Sequence, residues 1–102
     1  MRLEWTDPAV EHLAGIRAYI ACDSETCAAD FVARIVRVAE QLIPFPRLGR
    51  SVPEAFDPEV RELIFRSYRI LYRVREERVQ VLAILHGARD LGRMFPKPWD
   101  VS

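Results

Sequence analysis

Between Arg61 and Leu91 the chain runs RELIFRSYRILYRVREERVQVLAILHGARDL, three apolar runs in which arginines recur at alternate positions before a His-Gly-Ala-Arg ending. This alternation constrains the fold more than any other feature, because successive strand side chains point to opposite faces of a sheet, whereas a helix sorts residues with a longer period. In the middle run Tyr68, Ile70, Tyr72 and Val74 share one side, and Arg69, Leu71, Arg73 and Arg75 share the other. The first side can build a core. The second can meet phosphate or carboxylate.

Strands are expected near Val60 to Arg66, Arg69 to Arg75 and Val79 to His86, bounded by Pro and Gly punctuation upstream. Two-residue connections at Ser67-Tyr68 and Glu76-Glu77 favour antiparallel hairpins. In the last strand Val79, Val81, Ala83 and Leu85 fall on one face and Gln80, Leu82, Ile84 and His86 on the other, so it is apolar on both sides and expected to be central. A short alternating run, Arg2 to Trp5, precedes Thr6-Asp7-Pro8, a capping side chain followed by Pro in a first helical turn. Leu13, Ile16 and Ile20, with Val10 or Tyr19, give that helix one apolar stripe ending near Cys22 to Asp23. Ser24 with Cys27, Phe31, Ile35, Val38 and Leu42 marks a second helix, which Pro44 and Pro46 terminate. Gly49 with Arg50 suits a turn whose backbone wants positive φ. The short joint between the helices implies an antiparallel hairpin with both stripes turned to the sheet. The expected fold is therefore α+β: a helical hairpin packed on a mostly antiparallel four-stranded sheet in the order β-α-α-β-β-β. Residues 1–93 form one domain, and residues 94–102 a tail that either packs over the sheet or hangs loose.

A net charge of zero argues against a nucleic-acid partner, yet residues 1–59 sum to −4 and residues 60–97 to +5, with Asp100 closing the balance. The sheet is thus the basic part, able to attract phosphate or an acidic protein segment. Fourteen of the fifteen basic residues are Arg and one is Lys97; the planar Arg fork suits bidentate anions, but Arg-rich codon usage yields the same ratio, so the ratio selects no ligand. Cys22 and Cys27, with His12 and His86, lack paired zinc-ligand spacing, and no metal or other cofactor is expected. No N-terminal run has signal-peptide form and no apolar run approaches the roughly 20 residues of a membrane span, so a reduced, cytoplasmic protein is expected.

The element order, the Phe45-Pro46-Arg47-Leu48-Gly49-Arg50 loop followed by Val52-Pro53-Glu54, the Arg61-Glu62-Leu63 strand, the Tyr68-Arg69-Ile70-Leu71-Tyr72 strand and the terminal His86-Gly87-Ala88-Arg89-Asp90 together resemble the RelE/ParE family of bacterial toxins. The ordered set covers nearly the whole chain. The resemblance implies the toxin of a type II toxin–antitoxin pair, with a cognate antitoxin as partner. It also poses a choice, since RelE-like members cut mRNA on the ribosome, whereas ParE-like members bind DNA gyrase and are not nucleases.

Metal-free RNA cleavage needs a group to take the 2′-hydroxyl proton, cations for the phosphorane and an acid for the leaving oxygen. Arg69 stands where the family has the arginine of its Tyr-Arg strand, Arg61 can join it, and His86 has a side chain suited to proton transfer near neutrality; these three are the catalytic candidates if the chain is a nuclease. Against that role, Gly87 follows His86, no Tyr lies beyond Tyr72, and the catalytic lysines of the RelE type have no counterpart. The His-Gly-Ala-Arg-Asp-Leu ending is more like the ParE type. The favoured expectation is a gyrase inhibitor, with a ribosome-dependent mRNA endonuclease as the alternative and a non-toxic, antitoxin-bound repressor partner as a third reading. Arg66, Arg73 and Arg89 are the candidate contacts to antitoxin or target. Each has a plainer reading as well. His86 can cap a strand, Arg69 can form an internal ion pair, Arg73 with Arg75 and Arg78 can be a solvated hairpin tip, and Arg89 can clamp Asp90 or close a basic groove.

Overall fold

In the computed structural model, which describes residues 1–100, Thr6 is extended and caps helix α1 (Asp7–Ala21), its hydroxyl accepting from the Ala9 amide with Pro8 in the first turn. Ser24 caps helix α2 (Glu25–Glu40) in the same way through the Cys27 amide. The two helices turn a common stripe to the sheet: Ala9, Ile16, Ile35 and Ala39 are buried there with half-buried Leu13, Ile20, Phe31 and Val38. Val10 and Tyr19 lie off this stripe in solvent, as does Cys27.

The sheet has five strands, ordered β1-β5-β4-β3-β2: β1 (Arg2–Trp5), β2 (Arg50–Ser51), β3 (Val60–Phe65), β4 (Tyr68–Val74) and β5 (Arg78–His86). The fifth strand, absent from the expected four, is the two-residue β2, set against β3 in the register Arg50↔Glu62 and Ser51↔Arg61. Only β1 is parallel to its neighbour, β5. The first hairpin turns on Arg66-Ser67, one residue earlier than expected, with Arg66 left-handed at φ 54°. The second spans Arg75 to Glu77. Among the described residues no helix is long and apolar enough to cross a membrane.

The alternation along β4 holds, but that along β5 does not, because a bulge shifts the register: Leu71 faces Ala83 while Tyr72 faces Val81. One extra residue inverts the parity beyond it. Val79 and Val81 therefore share the helix-facing side with Ile84 and His86, while Ala83 and Leu85 join Gln80 on the other. Side chains from the start of α1 bond to the backbone flanking the bulge. The Thr6 hydroxyl donates to the Val81 carbonyl at 2.9 Å, and the Ile84 amide donates to His12 Nδ1 at 3.3 Å.

Because His12 accepts through Nδ1, it must stay neutral there to hold the bulge. Burial, followed by the nearby positive charge of Arg89, lowers its pKa below the ordinary 6.5, with Glu11 opposing. As pH falls through 6.5 the unfolded chain takes up a proton that the folded chain resists, so this site loses stability toward acid. His12→Asn keeps an acceptor without the titration. Thermal unfolding between about pH 7 and pH 5 should show a shallower acid decline for the variant than for the wild type; superimposable profiles would remove His12 from the pH dependence.

The sheet face opposite the helices is not the open, Arg-bearing surface that alternation alone implies. Leu71, Leu82, Ala83 and Leu85 form a second core with Val52, Val60 and Leu91, covered by half-buried Ala55, Met94 and Trp99. These apolar positions between the arginines need shielding from water, and the segment after β5 supplies it. Lys97 Nζ secures that segment by donating to the Leu91 and Gly92 carbonyls at 2.8 and 2.7 Å. Of the expected tail, Val101 and Ser102 lie outside the described residues.

Candidate functional site

Beyond the covered area, the second face opens into a notch of about 420 Å³ whose walls include Arg50, Ser51, Glu54, Glu62, Ile64 and Arg69. Strand register explains the gathering. Residues directly opposite share a face and diagonal neighbours remain within reach of long side chains, so Arg50 lies beside Glu62 and Ile64 beside Arg69. Glu62 is the only acid between Val60 and Arg75, and its side chain is 1 % exposed. It accepts from Arg69 Nε at 2.6 Å and Nη2 at 2.9 Å. Arg50 Nε adds a longer contact at 3.5 Å, and Glu54 lies 3.6 Å from Arg69 Nη2. The hydrogen bonds to Glu62 hold the Arg69 pKa above its ordinary value despite partial burial. A carboxylate this deep is tolerable because its partner is bidentate and charged.

Arg61 and His86 stand apart from this pair. Arg61 is opposite Tyr72 and His86 opposite Tyr68, on the side of the sheet that faces the helices. Arg61 Nη1 donates to the Gly49 carbonyl at 2.8 Å. His86 Nδ1 accepts from the Ala88 amide at 3.2 Å, and its ring meets Tyr68 edge-on at 5.7 Å, extending a row that includes Phe31 and Phe65. The plainer reading of His86, a strand-end cap, matches these contacts. The three residues considered for RNA cleavage are thus divided between the two faces.

The other three arginines are also dispersed. Arg66 sits at the β3–β4 turn with its guanidinium 5.7 Å from the Phe65 ring centre. Arg89 comes to the same end of the sheet, where the Gly87 amide donates to the Ser67 carbonyl at 2.7 Å. Asp90 does not pair with Arg89; it accepts from the Gly92 amide at 2.9 Å and pairs with Arg93 at 3.5 Å. Arg73 is not a solvated hairpin tip, since it lies beneath the chain end and donates through Nη2 to the Trp99 carbonyl. Burial and then neighbouring Arg75 lower its pKa.

Gly49 anchors the edge of the notch, for a reason other than positive φ, which no glycine adopts among the described residues. A Cβ there would lie 2.4 Å from the Glu62 carbonyl oxygen and 2.7 Å from the Tyr72 hydroxyl. The Gly49 amide donates to that hydroxyl at 2.8 Å, so the loop enters β2 by pressing its backbone against β3. Arg50, Glu54 and Glu62 were not singled out from sequence. The signal for Glu62 was its isolation as an acid among the arginines of the first two sheet runs; the β3–β4 register is what places it on the face of Arg69. Among the described residues no group of three or more His, Cys, Asp or Glu side chains is arranged to hold a metal ion.

A family model described as "ParE toxin of type II toxin-antitoxin system, parDE" matches residues 3–91. Among solved structures the chain is similar to one from the "Chromosomal ParDE TA system from P. aeruginosa", with 27% identity over 84% of this chain and 95% of that chain and a TM-score of 0.71. No curated protein gives a significant match.

Proposed function

Because the chain belongs to the ParE toxin family of type II toxin–antitoxin systems, we propose that it acts in the cytoplasm by inhibiting DNA gyrase and is neutralised by a cognate antitoxin. The observation that carries this reading over mRNA cleavage is the division of the candidate residues. Arg61 and His86 lie on the helix-facing side and Arg69 on the other, already engaged by Glu62. In-line phosphoryl chemistry needs a base, an acid and charge stabilisation around one phosphate, and a sheet between them prevents that convergence. A surface of fixed, paired charges suits binding.

Purified chain added to gyrase supercoiling reactions should reduce supercoiling, and the same chain added to ribosomes programmed with mRNA should leave the message intact. His86→Ala should retain the gyrase effect, since its ring serves the strand end. Codon-dependent cuts in the mRNA with normal supercoiling would overturn the reading.

A further inference from the structure

We propose that the notch at Arg50, Glu62, Ile64 and Arg69 is the docking point for a segment of a protein partner that presents a carboxylate beside an apolar side chain. The inference rests on the toxin–antitoxin reading, which supplies such a partner, and deepens it by placing the contact.

Two guanidinium groups converge on one buried carboxylate. Arg69 engages Glu62 through Nε and Nη2, and among the described residues no acceptor lies on its Nη1. Arg50, 71 % exposed, approaches Glu62 through Nε at 3.5 Å, and among the described residues no hydrogen bond engages its terminal nitrogens, which can meet an incoming anion. Glu62 therefore orients both forks before any ligand arrives, so less side-chain freedom is lost on binding. Ile64, 53 % exposed, is directly opposite Arg69 in the β3–β4 register and offers an apolar floor beside the cations. The notch thus presents free cationic donors next to an exposed aliphatic group.

The same features disfavour nucleic acid. Glu54 and Glu62 stand among the two arginines, so the successive phosphates of a nucleic-acid backbone would meet carboxylates as well as cations. Among the described residues no aromatic side chain lines the notch to stack a base. A volume of about 420 Å³ admits one or two side chains.

Calorimetric titration of the cognate antitoxin into the folded chain tests this, using Arg50→Gln and Ile64→Ser with melting temperatures recorded for each. Both sites are exposed, so both variants should melt near the wild type while binding the antitoxin about tenfold or more weakly, the Arg50 variant with reduced salt dependence. Wild-type affinity in both variants would overturn the placement and leave the toxin–antitoxin reading standing. Failure of the wild type to bind antitoxin would overturn both. Binding of a labelled single-stranded 15-mer that is lost in Arg50→Gln would overturn it in favour of a nucleic-acid ligand.

Discussion

Arg69→Ala is expected to lower stability by about 3–5 kcal/mol, because it leaves the Glu62 carboxylate buried without its bidentate partner. For a domain of this size that corresponds to a melting temperature lower by about 12 °C or more. Arg50, 3.5 Å from Glu62 and mostly in solvent, can offset only a fraction of the loss. Replacing the pair together, as Arg69→Met with Glu62→Leu, should recover most of it, since the costly species is the lone buried charge. Guanidinium unfolding of the two single variants and the double variant checks this as a cycle. A single-variant cost below about 1 kcal/mol, or a double variant as unstable as Arg69→Ala, would mean that water reaches Glu62 and that the pair contributes little. The cycle also bears on activity, because loss of toxicity in Arg69→Ala alone would follow from unfolding as readily as from a missing contact.

Gly49→Ala should be nearly as damaging, at roughly 3 kcal/mol or more, although it adds only one methyl group. That methyl would stand 2.4 Å from a strand carbonyl and 2.7 Å from the buried Tyr72 hydroxyl, neither of which is the movable end of a flexible side chain. Relief requires the loop to lift from β3. Lifting breaks the Gly49 amide bond to Tyr72 and the Arg61 bond to the Gly49 carbonyl, each 2.8 Å long. Burial raises the Tyr72 pKa, with the Gly49 amide bond opposing, so its hydroxyl stays neutral. Tyr72→Phe removes one of the two close approaches, and its cost combined with Gly49→Ala should fall short of the sum of the two. Urea unfolding of these variants measures the effect. A Gly49→Ala cost under about 1 kcal/mol would show that β2 yields easily and that its register does not hold the notch.

Much of the architecture was legible in the chain because local chemistry and tertiary packing agree there. Thr6 and Ser24 cap the helices they precede, the stripe of Ile16, Phe31 and Ile35 faces the sheet, and Tyr68, Ile70, Tyr72 and Val74 share one side of β4. Capping and periodicity act over a few residues, so a linear pattern carries them. The bulge in β5 is different. Nothing in Val81-Leu82-Ala83 distinguishes a bulge from a regular strand; Thr6 and His12, about 75 residues earlier, bond to the backbone on either side of it.

The candidate site divides in the same way. The presence of cations on a sheet, and Arg69 among them, could be read from alternation. Their state could not, because whether an arginine is free, paired or covered depends on residues brought across strands. Arg69 is held by Glu62 from β3, Arg73 lies under Trp99 from the chain end, and Arg61 and His86 fall on the opposite side of the sheet. Strand alternation assigns side chains to faces within one strand. Register and the covering segments then bring those faces together, and they arise from burying Leu71, Leu85 and Leu91 away from water.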